Sequence, residues 1–249
     1  MADERHRWVV GPGSRPDLDG IDPDGTPGAP GSKAELETTT EELVFTLADL
    51  QNRLWAESRR SVLLVLQALD AGGKDGTIRK VFTGVNPQGV RVTSFKAPTP
   101  DELAHDFLWR IHARTPAAGE IGVFNRSHYE DVLVVRVEDL VAEPVWRARY
   151  AAIRHFEDQL AASGTTIVKV YLHISAEEQA RRFRSRLTEP AKRWKFSSGD
   201  LEVRAKWDQY REAYLDAIEE TSTKAAPWYV VPADQKKYRN WAVLQILVA

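Results

Sequence analysis

The sequence predicts an α/β fold in which helices cover both faces of a parallel β-sheet. Apolar runs of strand length alternate along the chain with segments of helical periodicity, which is typical of parallel sheets. The first apolar run, at residues 62–66, leads into a turn that contains Gly72, Gly73 and Gly76. The chain has 249 residues, which suits one large domain or two small ones. We expect a single domain over residues 33–249 after an N-terminal arm at residues 1–32.

The arm and the remaining elements follow from local patterns. Residues 11–32 are dense in Gly, Pro and Asp, so we expect a flexible or extended arm, draped over the domain or a partner subunit. Leucines at positions 43, 47, 50 and 54 predict an amphipathic helix over residues 33–58, capped by the hydroxyls of residues 38–40. Further strands are expected at residues 90–95, 121–124, 166–174 and 228–231. Further helices are expected at residues 99–112, 129–139, 143–162 and 238–248, and after Ser175.

Composition excludes several classes of protein. The chain has no cysteine, which excludes disulfides and thiolate metal sites. It contains no apolar run of the roughly 20 residues that span a bilayer, and its charged N-terminus does not resemble a signal peptide. We therefore expect a cytoplasmic protein without a membrane partner. The formal net charge of −2 also argues against a general affinity for nucleic acid.

Residues 61–80 combine a buried strand, a glycine turn and the start of a helix, which is the layout of a phosphate-binding P-loop. Glycines let backbone N–H groups approach an anion closely, and the helix N-terminus adds a partial positive charge. Lys74 would bring a full positive charge to a terminal phosphate. The phosphate-binding residues expected here are Gly72, Gly73, Lys74, Gly76, Thr77, Arg79 and Lys80.

The turn departs from the usual pattern G-x-x-x-x-G-K-[ST], because Ala68 and Asp75 stand where a glycine and a hydroxyl residue are usual. The alternative is a tight strand-to-helix connection with an exposed lysine. Asp70 favours the phosphate site, since a carboxylate there would repel phosphate unless it binds a metal ion or accepts a proton. We predict that Asp70 is catalytic and binds Mg²⁺, with Mn²⁺ as an alternative.

Two later segments bear on the same site. Asn125 and Arg126 follow a short apolar run, and the carboxyl ends of parallel strands meet at one edge of a sheet, so they should face the same cleft as Asp70. Residues 181–195 carry seven Lys or Arg against one acid. Solvated helix faces usually mix signs, so this segment predicts a lid at about residues 181–200 that closes over a specific anion. The alternative is an ordinary solvated face.

The segment that follows has an apolar stripe at helical spacing, which is expected to pack in the core or against another subunit. Its residues are Trp207, Tyr210, Tyr214, Ala217 and Ile218.

Four segments of the chain resemble the polyphosphate kinase 2 family: D-A-G-G-K-D-G-T-I-R-K at residues 70–80, G-E-I-G-V-F-N-R-S-H-Y-E-D at 119–131, R-L-T-E-P-A-K-R-W-K-F-S at 186–197 and W-Y-V-V-P-A-D at 228–234. The resemblance runs from about residue 33 to the C-terminus. It implies a P-loop kinase-like three-layer α/β/α sandwich with a helical lid. It also implies Mg²⁺-dependent phosphoryl transfer between inorganic polyphosphate and nucleoside mono- or diphosphates, by homodimers or homotetramers.

The resemblance assigns roles to single positions. Asp70 and Lys74 match the acid and the lysine of the family's phosphate loop, and Arg186 matches a lid arginine that contacts phosphate. Asn125 stands where many members have aspartate and, with Glu130 and Asp131, resembles class III, which implies that both AMP and ADP are phosphorylated. The expected catalytic residues are Asp70, Lys74, Asn125 and Arg126.

Both substrates can be assigned expected binding residues. For polyphosphate we expect Arg126, Arg182 and Arg186 in addition to the glycine turn. For the nucleotide we expect Phe95, Lys96, Pro98, Glu130 and Asp131, although core packing is an equally good account of Phe95. Two other functions remain open: an ATP-dependent small-molecule kinase, and a nucleotide-binding protein without turnover.

Overall fold

The computed structural model describes residues 4–197 and 199–249, and within these residues the chain folds around one six-stranded sheet. The strands are β1 (Val9–Val10), β2 (Ser61–Gln67), β3 (Val90–Ser94), β4 (Ile121–Asn125), β5 (Thr165–His173) and β6 (Trp228–Pro232). Their order in the sheet is β1-β6-β5-β2-β4-β3. Strands β2 to β6 pair in parallel, and β1 pairs antiparallel with β6. The expected parallel sheet is therefore confirmed.

Helices cover both faces of this sheet. They are α1 (Lys33–Glu57), α2 (Lys74–Val81), α3 (Pro100–Leu103), α4 (Trp109–His112), α5 (Glu130–Val137), α6 (Glu143–Ala162), α7 (Ala176–Thr188), α8 (Gly199–Ala205), α9 (Trp207–Thr221) and α10 (Lys236–Val248). Short 3₁₀ helices lie at Glu4–Arg7, Pro87–Gly89 and Pro190–Lys195.

Two hydrophobic cores result, one on each face of the sheet. Side chains of successive strand residues point to opposite faces, so Leu63 and Val65 pack into one core while Leu64 and Leu66 pack into the other. The first core contains α5, α6 and α9, including the predicted stripe along α9. The second contains α1, α2 and α10. Strand β2 is buried on both faces, which is why it is an unbroken apolar run in the sequence.

The residue that caps the N-terminus of α1 differs from the predicted threonines. The helix begins at Lys33, and Ser32 accepts a hydrogen bond from the Glu35 N–H while the Glu35 carboxylate accepts one from the Ser32 N–H. This reciprocal capping box satisfies two free N–H groups of the first turn. The hydroxyls of Thr39 and Thr40, which were expected to cap, lie inside the helix and donate to carbonyls four residues earlier.

The single helix expected at residues 99–112 is also wrong, because the segment forms α3 and α4 with a break between them. The Asp106 carboxylate accepts a hydrogen bond from the Leu108 N–H at 3.0 Å, and the Asp106 carbonyl accepts one from the Trp109 N–H at 3.0 Å. Such local side-chain bonds compete with the helical ladder and favour a new start. Lys96 and Ala97, which precede α3, lie at the rim of the cleft described below.

The arm runs along the sheet edge and packs on the domain. Trp8 and Leu18 are buried, and the Trp8 indole N–H donates to the Tyr238 hydroxyl at 2.9 Å. Pro23 accepts a hydrogen bond from the N–H of Asp234, and the Asp24 carbonyl accepts one from the Gln235 side chain. The arm therefore braces the turn between β6 and α10. Its division from the domain at residue 32 stays a prediction.

The lid segment is built from three short pieces. Helix α7 ends at Thr188, two residues before Pro190, since a residue that precedes proline is driven out of helical geometry. The 3₁₀ turn and the start of α8 follow. In the part of the chain that the structure describes, every helix is too short or too polar to cross a bilayer.

We predict that replacing Trp8 with alanine lowers the free energy of unfolding by about 3–5 kcal/mol, the usual cost of truncating a buried Trp. Trp8 is 3% exposed and stacks edge-on against Trp241. The matched control is Phe45→Ala on α1, because Phe45 is 76% exposed and should change stability by less than about 0.5 kcal/mol. Urea unfolding measures both. Equal stability of the Trp8 variant and the native chain would mean that the arm does not pack as described.

Candidate active site

The site forms where the carboxyl ends of β2 and β4 lie side by side. Leu66 of β2 is in register with Asn125 of β4, so the residues that follow each strand emerge together. As a result, Arg126 donates a hydrogen bond from Nη2 to Asp70 Oδ1 at 2.6 Å. The pairing expected from the strand-end rule is therefore present in the structure.

In the glycine loop between β2 and α2, close packing or a left-handed backbone restricts which residues fit at three positions. A β-carbon on Gly72 would overlap Ala68, and Gly73 has a φ of +106°. Ala71 also has a left-handed backbone, at +61°. Ala68 itself has a negative φ, as expected, so an alanine where the usual pattern has glycine requires no strained backbone.

Lys74, the first residue of α2, lies half-buried behind the loop. Its Nζ donates to the Ala68 carbonyl at 2.8 Å, which folds the side chain back over the loop. Burial, together with the nearby charge of Arg126, lowers the pKa of Lys74 to about 8. The ammonium group is thus largely protonated at neutral pH and loses its proton under mildly alkaline conditions.

Arg126 is held in a strained conformation. Its φ is +63°, in the left-handed region that side chains rarely adopt. Besides Asp70, its guanidinium contacts Glu130 Oε2 at 3.4 Å. Burial acts to lower the pKa of Arg126, but the negative charges of Glu130 and Asp70 outweigh it and raise the pKa above its usual value. Backbone strain at a residue with a functional side chain is typical of active sites.

Asn125 donates from its side-chain amide to Asp75 Oδ1 at 2.7 Å. This contact joins the end of β4 to the first turn of α2, across the mouth of the cleft. Asp75 was not among the expected site residues and was noted only as a departure from the usual motif. Its place in the first turn of a helix is favourable for a carboxylate, because the helix dipole is positive there.

Together these elements border a cleft of about 1090 Å³. Among the described residues, eleven lysines and arginines line it, against three acids. The cations are Lys74, Arg79, Lys96, Arg126, Arg181, Arg182, Arg186, Lys192, Lys195, Lys236 and Arg239. The acids are Asp70, Asp75 and Glu189. Such an excess of one sign focuses the electrostatic field on anions.

The two expected lid arginines differ in their contacts. Arg186 reaches the cleft and donates from Nη1 to Asp200 Oδ2 at 2.9 Å. Arg182 is 9% exposed, and most of its donors are already used. It donates to Glu178 Oε1, to the carbonyl of Ala71 in the glycine loop and to the carbonyl of Ala233 after β6. These bonds tie the glycine loop to the end of β6, while Arg182 also lines the cleft, and its contact with phosphate stays a prediction.

Five expected site residues lie away from this cleft. Thr77 is fully buried and donates its hydroxyl to the Gly73 carbonyl, and Lys80 points from α2 toward α1 and α10. Pro98 is exposed beyond the cleft rim. Glu130 acts from behind, on Arg126. Asp131 faces Arg149, at 3.1 Å, on the far side of α5.

The remaining expected nucleotide-binding residues line the cleft. Lys96 is exposed at the rim, and its carbonyl accepts a hydrogen bond from Arg110. Phe95 is 7% exposed and packs edge-on against Phe124, with ring centroids 4.9 Å apart. Phe95 therefore belongs to the core and also forms part of the cleft wall, while its contact with a nucleotide stays a prediction.

Sequence reasoning missed the contribution of α10. Lys236 and Arg239 stand one helical turn apart at the start of this helix and line the cleft from the β6 side. A signal was present, because the basic segment Q-K-K-Y-R at residues 235–239 comes shortly after the last strand, and the ends of parallel strands meet at one edge of the sheet. Arg181, on α7, was recognised as part of the basic segment but not as a site residue.

The residues present fit a divalent cation of the magnesium type. Mg²⁺ is usually held by one or two carboxylates, with phosphate and water as its other ligands. Asp70 lines the cleft with its Oδ2 free of hydrogen bonds to the described residues. Asp70 is therefore the residue that would hold the metal ion.

A glycine loop between a parallel strand and a helix, with a basic segment across the same cleft, defines a phosphate-binding protein with a P-loop kinase-like fold. Comparison with known proteins identifies the family. The family model described as Polyphosphate kinase 2 matches residues 31–249, so the chain belongs to the polyphosphate kinase 2 family.

Individual relatives agree with this assignment. The chain is 56% identical over 242 residues to a Meiothermus ruber protein named AMP/ADP-polyphosphate phosphotransferase, covering 97% of this chain and 91% of the relative. It is 49% identical over 228 residues to the ADP-polyphosphate phosphotransferase of Rhodopseudomonas palustris, covering 87% and 79%. The crystal structure of polyphosphate kinase 2 from Arthrobacter aurescens TC1 matches with a TM-score of 0.94 and 49% identity, covering 97% and 86%. The expected fold class and family are thus confirmed.

We predict that the affinity for inorganic tripolyphosphate falls about tenfold between pH 7 and pH 9, because Lys74, with its pKa of about 8, loses its proton over this interval. Any further ionisation of the ligand over this interval adds negative charge, which would strengthen binding to a cationic cleft, so it does not cause the fall. The control is Lys74→Arg, since a guanidinium stays protonated. Titration calorimetry measures both affinities. The same pH dependence in both proteins would rule out Lys74 as the titrating group.

Proposed function

We propose that the protein transfers phosphoryl groups between inorganic polyphosphate and AMP or ADP, in the reversible sequence AMP to ADP to ATP. Its relatives in Meiothermus ruber and Rhodopseudomonas palustris carry names for this reaction. The observation that carries the proposal is the cleft itself, in which a glycine loop, eleven cations and the Asp70–Arg126 pair are assembled in a chain of this family.

The position of the cations supports separate places for the two substrates. Arg181, Arg186, Lys192 and Lys236 come from α7, the lid and α10, on the β5 and β6 side of the glycine loop. This is the side on which a long polyanion would lie. The β3 and β4 side has fewer charges and includes the aromatic ring of Phe95, which suits a nucleotide.

The transfer itself requires positioning and charge neutralisation rather than covalent catalysis. A terminal phosphate oxygen of AMP or ADP attacks the terminal phosphorus of polyphosphate, and the bridging P–O bond breaks as the shortened polyphosphate leaves. Lys74 and Arg126 stabilise the negative charge on the transferred group. Asp70 orients Arg126 through the 2.6 Å hydrogen bond. Bound Mg²⁺, or Mn²⁺ as an alternative, would supply charge neutralisation between the two polyanions, with Asp70 as its protein ligand.

We further propose that the enzyme acts in the cytoplasm as a homodimer or homotetramer and has no nucleic-acid partner. The family resemblance of four segments supports the oligomer. The mixture of signs over the whole chain, with a net charge of −2, supports a specific anion as the ligand of the cationic cleft. Light scattering during size-exclusion chromatography measures the subunit number.

The decisive experiment supplies AMP or ADP with polyphosphate and Mg²⁺, without ATP. Formation of ADP and ATP is the expected result. If phosphate is transferred only from ATP, the protein is instead a small-molecule kinase. If nucleotide raises the melting temperature but no transfer occurs from either donor, the protein only binds nucleotide. In that last case Asp70→Asn would leave binding intact.

We predict that Arg126→Gln lowers kcat by about 10³-fold, as loss of an arginine that stabilises transferred phosphate does in related chemistry. Glutamine keeps the Cβ–Cγ–Cδ stem of the side chain and makes similar demands on the backbone, so the melting temperature should change little. The control is Arg53→Gln, since Arg53 is exposed on α1 and pairs with the exposed Asp49. Steady-state assays with AMP and polyphosphate measure the rates. A variant with native kcat would remove Arg126 from the mechanism.

A further inference from the structure

Arg239 of α10 places a buried guanidinium against the glycine loop. Its relative exposure is 2%. A β-carbon on Gly73 would overlap Nη1 of Arg239, and one on Gly76 would lie 3.4 Å from Nη2. The guanidinium thus packs against Gly73, which immediately precedes α2, and against Gly76 in the first turn of that helix. It also forms part of the wall of the cleft.

The charge of Arg239 has no carboxylate partner among the described residues. Its Nε and Nη2 both donate to the side-chain oxygen of the adjacent Asn240, at 3.2 and 2.8 Å. Its Nη1 donates no hydrogen bond within the described ranges, 4–197 and 199–249. The neighbouring cation Arg182 is paired with Glu178, so that carboxylate is already engaged.

Burial and the proximity of Arg182 lower the pKa of Arg239 to about 9, which leaves it protonated at neutral pH. A buried charge without a partner is unfavourable, and proteins usually neutralise such groups with a counter-charge. The buried cations Lys169, Arg182 and Arg110 each have a carboxylate partner. These partners are Glu157, Glu178 and Glu102. The missing counter-charge of Arg239 points to an anion that enters the cleft.

The strand that α10 follows indicates which substrate supplies the anion that Arg239 binds. Helix α10 follows β6, on the side of the glycine loop that also carries Arg181, Lys192 and Lys236. Asn125 ends β4 and Phe95 follows β3, on the opposite side. A phosphate that contacts Arg239 therefore belongs to the donor chain rather than to the nucleotide.

We propose that Arg239 binds a phosphate group of the donor polyphosphate where that phosphate lies in the glycine loop. The assignment rests on the proposed function for the identity of the donor. It explains why position 73 has no side chain, since any β-carbon there would displace the guanidinium. It also implies that Arg239 destabilises the free protein and is stabilised by its ligand.

The test compares Arg239→Met with the native chain in two measurements. The melting temperature of the free variant should equal or exceed that of the native protein, because an uncompensated buried charge is removed. Its affinity for inorganic tripolyphosphate should fall at least about tenfold, the range expected for a lost charge-assisted hydrogen bond. Its affinity for AMP should stay within about twofold. Arg239→Lys keeps the charge but loses the planar fork. Its tripolyphosphate affinity should therefore lie between those of the native chain and Arg239→Met.

Two controls make the sign of the stability change informative. Lys169→Met removes a buried cation that does have a carboxylate partner, 2.5 Å away and far from the cleft, so it should lower the melting temperature strongly. Arg53→Gln removes an exposed cation and should change neither measurement. If Arg239→Met loses stability as Lys169→Met does, or does not fold, Arg239 is structural and the proposal is wrong.

The binding results separate this proposal from the proposed function. Unchanged tripolyphosphate affinity in Arg239→Met overturns the assignment, and an equal loss of AMP affinity overturns the choice of donor over nucleotide. Failure of the native chain to bind tripolyphosphate also overturns it. If the native chain binds tripolyphosphate through Arg239 but transfers no phosphate to AMP or ADP, the binding site stands and the proposed function fails.

Discussion

Mutual repulsion among the cations of one cleft is the constraint to which the rest of this structure is adapted. Eleven lysines and arginines line a space of about 1090 Å³, and like charges at such separations disfavour the folded state. The chain offsets part of this repulsion with carboxylates behind the cleft wall, as in the pairs Arg186–Asp200 and Arg182–Glu178. It leaves other groups, among them Lys74, without such a partner, and burial lowers the pKa of that lysine. The cleft is therefore built for an occupied state, in which phosphate completes the charge balance.

The mechanical connections of the site run through backbone carbonyls. Arg182 joins the carbonyl of Ala71, in the glycine loop, to that of Ala233, after β6. The arm in turn holds the same β6–α10 turn through Pro23 and Asp24. The described residues of the N-terminal segment do not line the cleft, yet through this turn they support the helix that carries Lys236 and Arg239. An arm of Gly, Pro and Asp suits this role, because it can follow an irregular surface and offer its own carbonyls as acceptors.

The parts of the site that the sequence could predict are those that depend on strand order alone. Asp70, Asn125 and Arg126 could be brought together because each follows an apolar run, and parallel strands end at one edge. The capping box S-K-A-E at residues 32–35 was equally readable but was passed over for the threonines that follow it. Thr77 and Lys80 were misplaced because the face each presents depends on the residue at which α2 begins, and one residue turns a helix by about 100°. The carbonyl contacts of Arg182 and the position of Arg239 could not be predicted, since they depend on which carbonyls and glycines lie against these side chains in the folded chain.

Because Asn125 contacts Asp75, the residue type at position 125 determines the local charge at this point of the cleft. An amide there donates to the Asp75 carboxylate at 2.7 Å and brings no charge of its own. A carboxylate in place of the amide would put a second negative charge at this distance, and the two would repel each other. The present arrangement places one carboxylate rather than two where the end of β4 meets the first turn of α2. A single amide-to-acid exchange at position 125 would therefore change the local charge that an anionic substrate meets in this cleft.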